Sequence, residues 1–401
     1  MTQTETFRVP DSEVENRIKT IQKEMALSEI EGILIIQRVD LFYFSGTAQN
    51  GFLYIPQKGE PLLMIKRYFP RAKRESSIHH IFEIPSVRAV PELIQDAFGH
   101  LPAVLGLELD VLPVRDFEFY KVLLPAKRIL DASPLILKVR TIKSSWEIEQ
   151  MENTAEMSRR TFEYMRSVMR PGISEMEFAG MYETFARKLG HGGMLRDRNF
   201  QSGGAYPWHV LSGKNGGMPG VLDASTSGEG TSSAFPSGAG SKLLSPGEPI
   251  MVDLGSVLNG YHMDETRMFA IGSMPKSAEK ACRAVIEIHD AVLEMANPGV
   301  TTGELFQHSV NLAKKMGYAD QYLGPQGYQV RFIGHGIGLE LIEPHIIAKD
   351  RADVLEPGMT FALEPKIVFQ DAYAAGLESV FHVTKNGSRL ISKVPIEIFI
   401  C

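Results

Sequence analysis

Residues 171–190 read PGISEMEFAGMYETFARKLG, and residues 298–317 read PGVTTGELFQHSVNLAKKMG. Both open on Pro-Gly and continue with a hydroxyl–acid pair, Ser174…Glu177 and Thr301…Glu304. An apolar helical face follows, then a basic pair ahead of Gly190 or Gly317. A hydroxyl residue three positions before a glutamate forms a capping box, and a glycine just past the last turn stops a helix. Several independent positions match without a gap, so the two segments read as copies of one unit. Another long helical pattern precedes each copy, at 145–169 and 277–296, and strand-rich sequence follows. This arrangement predicts a pseudo-twofold domain with a sheet between two helix pairs.

Ahead of the repeat, short strands and helices alternate. An amphipathic helix from about Asp11 carries Val14, Ile18, Ile21 and Met25. Strand-like runs are expected at 32–36, 41–44, 51–55, 61–65 and 104–107, with no phosphate-binding glycine fingerprint. A Ser144…Glu147 capping box then opens a long helix. The fold class is therefore α/β (α+β), with a small N-terminal α/β domain over 1–142 and the pseudo-twofold domain over 143–401. Between the two copies, residues 203–247 are rich in Gly and Ser, but Tyr206, Pro207, Trp208, His209, Met218 and Phe235 interrupt them. That bulk predicts an ordered loop beside a site rather than a linker.

The 401 residues suffice for two cores, and 44% apolar with 22% charged residues is globular composition. Mean hydropathy is -0.08. A net charge of -6 argues against nucleic acid as a partner. Cys282 and Cys401, the only cysteines, suit a reducing compartment and exclude a thiolate zinc site. The N-terminus turns charged before a signal peptide could form, and no run is long enough for a membrane helix. The expectation is a cytoplasmic protein without a membrane partner.

Five candidate ligands stand in strand-like contexts. They are Asp253 (PIMVDLG), Asp264 (GYHMDETRMFAIG), His335 (FIGHGIGLEL), Glu364 (MTFALEPKIVF) and Glu378 (AGLESVFHVT). Carboxylates flanked by apolar residues are expensive to bury unless paired or bound to a cation. Four carboxylates and an imidazole suit two divalent ions about 3.5–4 Å apart.

The order and context of VDLG, DETR, GHGIGLE, ALEP and LES resemble the metallopeptidase family that includes Xaa-Pro aminopeptidases, prolidases and methionine aminopeptidases. The resemblance covers essentially the whole chain. It implies the pita-bread fold for the pseudo-twofold domain, and two divalent metal ions, manganese first, with cobalt, zinc or ferrous iron next. Asp253 would chelate one ion, Asp264 and Glu378 would bridge both, and His335 with Glu364 would complete the second site. Glu364 would also shuttle the proton of an activated water. A homodimer is implied, with the N-terminal domain restricting the site to short substrates.

Three positions depart from the family pattern. The usual second histidine after the metal-binding one is Ile342, that of the SGPNAALPH-like stretch is Gly220, and the arginine before the last ligand is Gly376. Candidate replacements are His262, on the same strand face as Asp264, and His209. Tyr206, Trp208, His345 and Ile342 are candidate substrate contacts. The leading function is a dinuclear hydrolase cleaving an amide bond of a small peptide. The alternative is a non-peptide C–N hydrolase of the creatinase or ectoine-hydrolase type, or a lyase. A non-catalytic binding protein is the third reading.

Overall fold

A computed structural model describes residues 7–198 and 208–401. The chain divides into two compact units after Arg140. The first contains α1 (Asp11–Leu27), β1 (Gly32–Ile35), α2 (Arg38–Ser45), β2 (Gly51–Pro56), β3 (Leu62–Ile65), α3 (Phe69–Glu75), β4 (His80–Glu83), α4 (Val90–Phe98), β5 (Val104–Leu107), α5 (Val114–Leu123), β6 (Arg128–Asp131) and α6 (Ser133–Thr141). Its strands form one mixed six-stranded sheet in the order β4-β3-β2-β1-β5-β6. Leu34, Met64, Ile94 and Leu105 lie in its core.

The expected strand at 41–44 is instead the middle of helix α2. The Gln37 side chain accepts from the Val39 and Asp40 N–H groups, and Gly46 closes the helix in the left-handed region with φ 77°. Leu41, Tyr43 and Phe44 are all buried, so the run shows no amphipathic period to mark it as helical.

The second unit contains α7 (Ser145–Val168), α8 (Glu175–Lys188), β7 (Trp208–Ser212), β8 (Ile250–Leu258), β9 (Tyr261–Ala270), α9 (Lys276–Met295), α10 (Thr302–Lys315), β10 (Phe332–Gly336), β11 (Glu343–Ala348), β12 (Thr360–Leu363), β13 (Lys366–Phe369), β14 (Tyr373–Gly376), β15 (Ser379–Thr384), β16 (Gly387–Leu390) and β17 (Phe399–Ile400). Its strands form sheets ordered β17-β9-β8-β7 and β11-β10-β12-β15-β16, together with the β13-β14 hairpin. Helices α7 and α8 bury Phe162, Phe178 and Tyr182 in a core with Val252 and Phe269. Helices α9 and α10 bury Val285, Ile288 and Leu305 in a second core with Phe361 and Phe381. A sheet region thus has a helix pair on each side.

The repeat reaches into the backbone hydrogen bonds. Gly172 N–H donates to Leu244 O, and Ser174 bridges Leu243; in the second copy Gly299 N–H donates to Leu355 O, and Thr301 bridges Val354. Each partner segment then reaches a Pro-Gly turn, at Gly247 or Gly358, and enters β8 or β12. The caps differ in completeness. Ser144 with Glu147, and Thr301 with Glu304, form reciprocal capping boxes. Ser174 accepts from Glu177 N–H without a reciprocal bond.

Among the described residues, no helix is long and apolar enough to cross a membrane. Thr301→Ala should destabilise the second unit by about 1 kcal/mol through loss of its cap. Urea denaturation monitored by circular dichroism checks this, and an unchanged midpoint would mean that the Thr301–Val354 bridge holds the turn unaided.

Candidate metal centre

The two entry turns deliver ligands in parallel. Asp253 lies ten residues after Leu243 and Glu364 ten after Val354, so they occupy equivalent positions in the two copies. Asp264 follows on β9, paired with Gly255 of β8. Glu378 directly precedes β15 and exchanges backbone hydrogen bonds with Thr266 of β9 (Glu378 N–H to Thr266 O at 3.1 Å, Thr266 N–H to Glu378 O at 3.3 Å). His335 comes from β10, opposite Ala362 of β12.

Ligand atoms of Asp264, His335 and Glu378 all lie within 4.8 Å of one another. His335 Nε2 stands 3.9 Å from Asp264 Oδ2 and 3.7 Å from Glu364 Oε1. His335 Nδ1 lies 3.0 Å from Gly336 O. A carbonyl can only accept, so Nδ1 carries the proton and Nε2 presents its lone pair to the carboxylates, as a metal-ligating imidazole must. Burial, and then the charges of Asp253 and Glu364, push the Asp264 pKa well above the carboxylate range. Burial and the Asp264 charge do the same to Glu378. Clustered buried carboxylate oxygens beside an imidazole lone pair form a donor set that fits a divalent metal ion.

The sequence reading missed Lys366, the first residue of β13. Its buried Nζ lies 2.7 Å from Glu364 Oε2, 3.6 Å from Glu378 Oε2 and 3.7 Å from Asp253 Oδ2. Burial alone would lower the Lys366 pKa, but Glu364, Glu378 and Asp253 raise it well above the usual lysine value. Burial likewise pushes Glu364 up, yet Lys366 and His335 bring it below the ordinary glutamate value. Two more residues escaped the reading. Arg267, fully buried on β9, donates to Glu378 O at 2.6 Å and to Thr266, Val394 and Pro395 carbonyls, fixing the backbone that carries Glu378. Asp197 is pushed up by burial and drawn down by the neighbouring His335, and its buried Oδ1 has no hydrogen-bond partner among the described residues. The arginine of DETR was the available signal for Arg267, whereas the Lys366 contacts depend on a hairpin turn that spacing does not encode.

The candidate histidines fare differently. His209 of β7 sits directly opposite Asp253 in the antiparallel ladder. Burial lowers its pKa, Asp253 opposes that shift and Lys366 adds to it. His262 does not present a free imidazole: Nε2 accepts from Arg196 N–H at 3.1 Å and Nδ1 lies 3.0 Å from Gly338 O. With both nitrogens engaged by loop backbone and burial driving its pKa to about 4, it ties β9 to the loops at Arg196 and Gly338. Strand alternation placed it on the face of Asp264 but could not reveal these bonds. His345 pairs through Nδ1 with Asp353 at 2.9 Å, and Ile342 is exposed. Tyr206 and the Trp208 side chain lie outside the described residues.

The Gly/Ser-rich stretch is tied down where described. Buried Glu175 accepts from Ser212, Asn215 and Gly240, and Asn215 in turn accepts from Glu229 N–H. At Gly220 an added Cβ would meet Ser227 Oγ at 2.6 Å, so no histidine fits there without rearrangement.

The family model "Metallopeptidase family M24" matches residues 149–385, and "Creatinase/Prolidase N-terminal domain" matches 17–142. The Xaa-Pro dipeptidase of Pyrococcus furiosus is 26% identical over 388 residues, 96% of this chain and 100% of that protein. The solved Xaa-Pro dipeptidase from Bacillus anthracis superposes with a TM-score of 0.83 at 25% identity, covering 97% and 100% of the two chains. The X-Pro aminopeptidase from Thermotoga maritima shares the fold, with a TM-score of 0.80 at 22% identity over 94% and 100%.

Neutral His262 carries a pH signature. The unfolded chain binds a proton near 6.5 that the native protein refuses until about 4. Stability present above 6.5 is therefore lost as pH falls through that window, by about 3 kcal/mol in full. His262→Gln should flatten this acid limb in urea titrations at several pH values while leaving metal uptake intact. A lost metal site with an unchanged limb would instead return His262 to the centre.

Proposed function

The chain belongs to metallopeptidase family M24, and from that premise we propose that it is a metal-dependent hydrolase cleaving the amide bond before proline in short peptides. The observation that carries this reading is the Asp264–His335–Glu378 cluster at the meeting of the two repeat copies. The substrate class comes from the Xaa-Pro dipeptidases it resembles over nearly their whole length. Manganese is the proposed metal, since oxygen-rich sites with one imidazole accept it readily. A bound divalent ion would supply Lewis-acid polarisation of the amide carbonyl and lower the pKa of adjacent water.

The chain's own groups divide the remaining work. Glu364, kept ionised by Lys366, takes a proton at Oε1, the oxygen facing His335, and passes it to the departing nitrogen. Lys366 engages Oε2 and fixes the carboxylate plane. His209, which pairs with Asp253 across the ladder, would contact the substrate or its tetrahedral oxygen. A cytoplasmic homodimer completes the proposal. Free Cys282 and Cys401 support the compartment, and Val114, Phe119 and Val122, exposed on α5, support self-association.

A second reading, a non-peptide C–N substrate on the same centre, is favoured by one observation. Gly220 has no room for the family histidine, and the other position is the exposed Ile342. Mass spectrometry of Mn²⁺-loaded protein with Xaa-Pro dipeptides, Xaa-Pro-Xaa tripeptides and proline-free peptides separates the two. Release of the residue before proline is expected, with His335→Ala slower by more than about 100-fold, beyond what loss of an outer hydrogen bond produces. No cleavage by folded, metal-loaded protein would reject the peptide substrate and favour cyclic amidines or ureas.

A further inference from the structure

We propose that the Lys366 ammonium is a built-in cation occupying one of the two cation positions of this centre, so that the first divalent ion enters beside His335 and a second binds only by displacing the lysine. The inference rests on the cluster being a metal centre and deepens that reading by making its two positions unequal.

Three observations converge on it. The Lys366 ion pairs run to Asp253, Glu364 and Glu378, and among the described residues none runs to Asp264. The Asp264–His335–Glu378 cluster therefore retains oxygens that the lysine does not hold. The ammonium hydrogen-bonds Glu364 Oε2, the oxygen other than the Oε1 that faces His335, and reaches Asp253 on β8, in the sheet that does not contain His335.

The hairpin explains how the lysine gets there. Lys366 and Gly376 are direct partners across β13 and β14. A Cβ on residue 376 would stand 3.2 Å from Lys366 Cγ and 3.1 Å from Met251 Sδ. The bare glycine leaves the lysine stem its channel toward the carboxylates. Where the family resemblance leads one to expect an arginine at 376, this chain delivers a cation from the opposite strand.

Charge counting favours one ion with the lysine in place. Asp253, Asp264, Glu364 and Glu378 carry four negative charges when ionised, and Lys366 with one divalent ion leaves a single negative charge. A second divalent ion would leave a positive centre and put a dication beside the buried ammonium. Repulsion between like charges a few ångströms apart in so buried a place disfavours that second ion while the lysine stays.

The test is the number of Mn²⁺ ions bound, measured by elemental analysis after equilibrium dialysis and by electron paramagnetic resonance. Wild-type protein should hold one ion, with the signal of isolated Mn²⁺. Lys366→Met should hold two with an exchange-coupled signal, its second ion binding at least about 100-fold tighter than in wild type. Lys366→Arg, which keeps the charge, should stay at one. If Lys366→Met does not fold without metal, it is purified in Mn²⁺ throughout and counted after dialysis, where two ions are still required. Two ions in wild type at similar affinity, or one in Lys366→Met, would overturn the role of Lys366 alone. No ion in any form would overturn the metal-centre reading, and this inference with it. Neither count depends on which substrate the protein cleaves.

Discussion

Asp253, Asp264, Glu364 and Glu378 come from β8, β9 and the segments flanking β12 and β15, and gathering their charges out of water opposes folding at each of them. Other features of the second unit offset that opposition. Lys366 supplies positive charge from inside the cluster, and Thr266 donates its hydroxyl to Glu378 Oε2 at 3.0 Å. Arg267 clamps the Glu378 carbonyl from the far side. Burial lowers even the Arg267 pKa to about 10, a measure of how dry the region is.

Duplication gives this arrangement its geometry. The same Pro-Gly turn, cap and bridge occur in both copies, so Asp253 and Glu364 arrive from two directions at equivalent depths. Departures from symmetry then create chemical distinction. One copy contributes His335 from β10, while in the other His209 of β7 stands opposite Asp253 in the ladder. Glu364 is drawn below its usual pKa by Lys366 and His335, while burial and neighbouring carboxylates drive Asp264 and Glu378 above theirs, so the carboxylates of one cluster differ in character.

Legibility in the sequence followed the range of the interaction. Helix starts and stops are local, and α7 through α10 match their expected spans to within a residue or two. The Asp264–His335–Glu378 cluster was readable only as part of a set: a single acid in an apolar run reads as an edge or turn residue, and it took the family resemblance to bring the five positions together. The run 41–44 misled because burial on every side erases periodicity, and the deciding cap, Gln37, lies outside the run. His262 misled because alternation reports a face, whereas its partners Arg196 and Gly338 come from distant loops. Lys366 was passed over for a related reason: a lysine in a strand ordinarily reads as solvated, and only the hairpin register shows it aimed inward.

The pairing of Lys366 with Gly376 also constrains how such a sequence can change. With only 3.2 Å between Lys366 Cγ and the place a Cβ would take, the two positions share a single allowance of volume. A side chain at 376 requires the lysine stem, Met251 or Thr266 to give way by a few tenths of an ångström, so the two positions are coupled. A bulkier residue at 376 has to push the lysine stem aside, so the effect of a substitution at either position depends on what stands at the other.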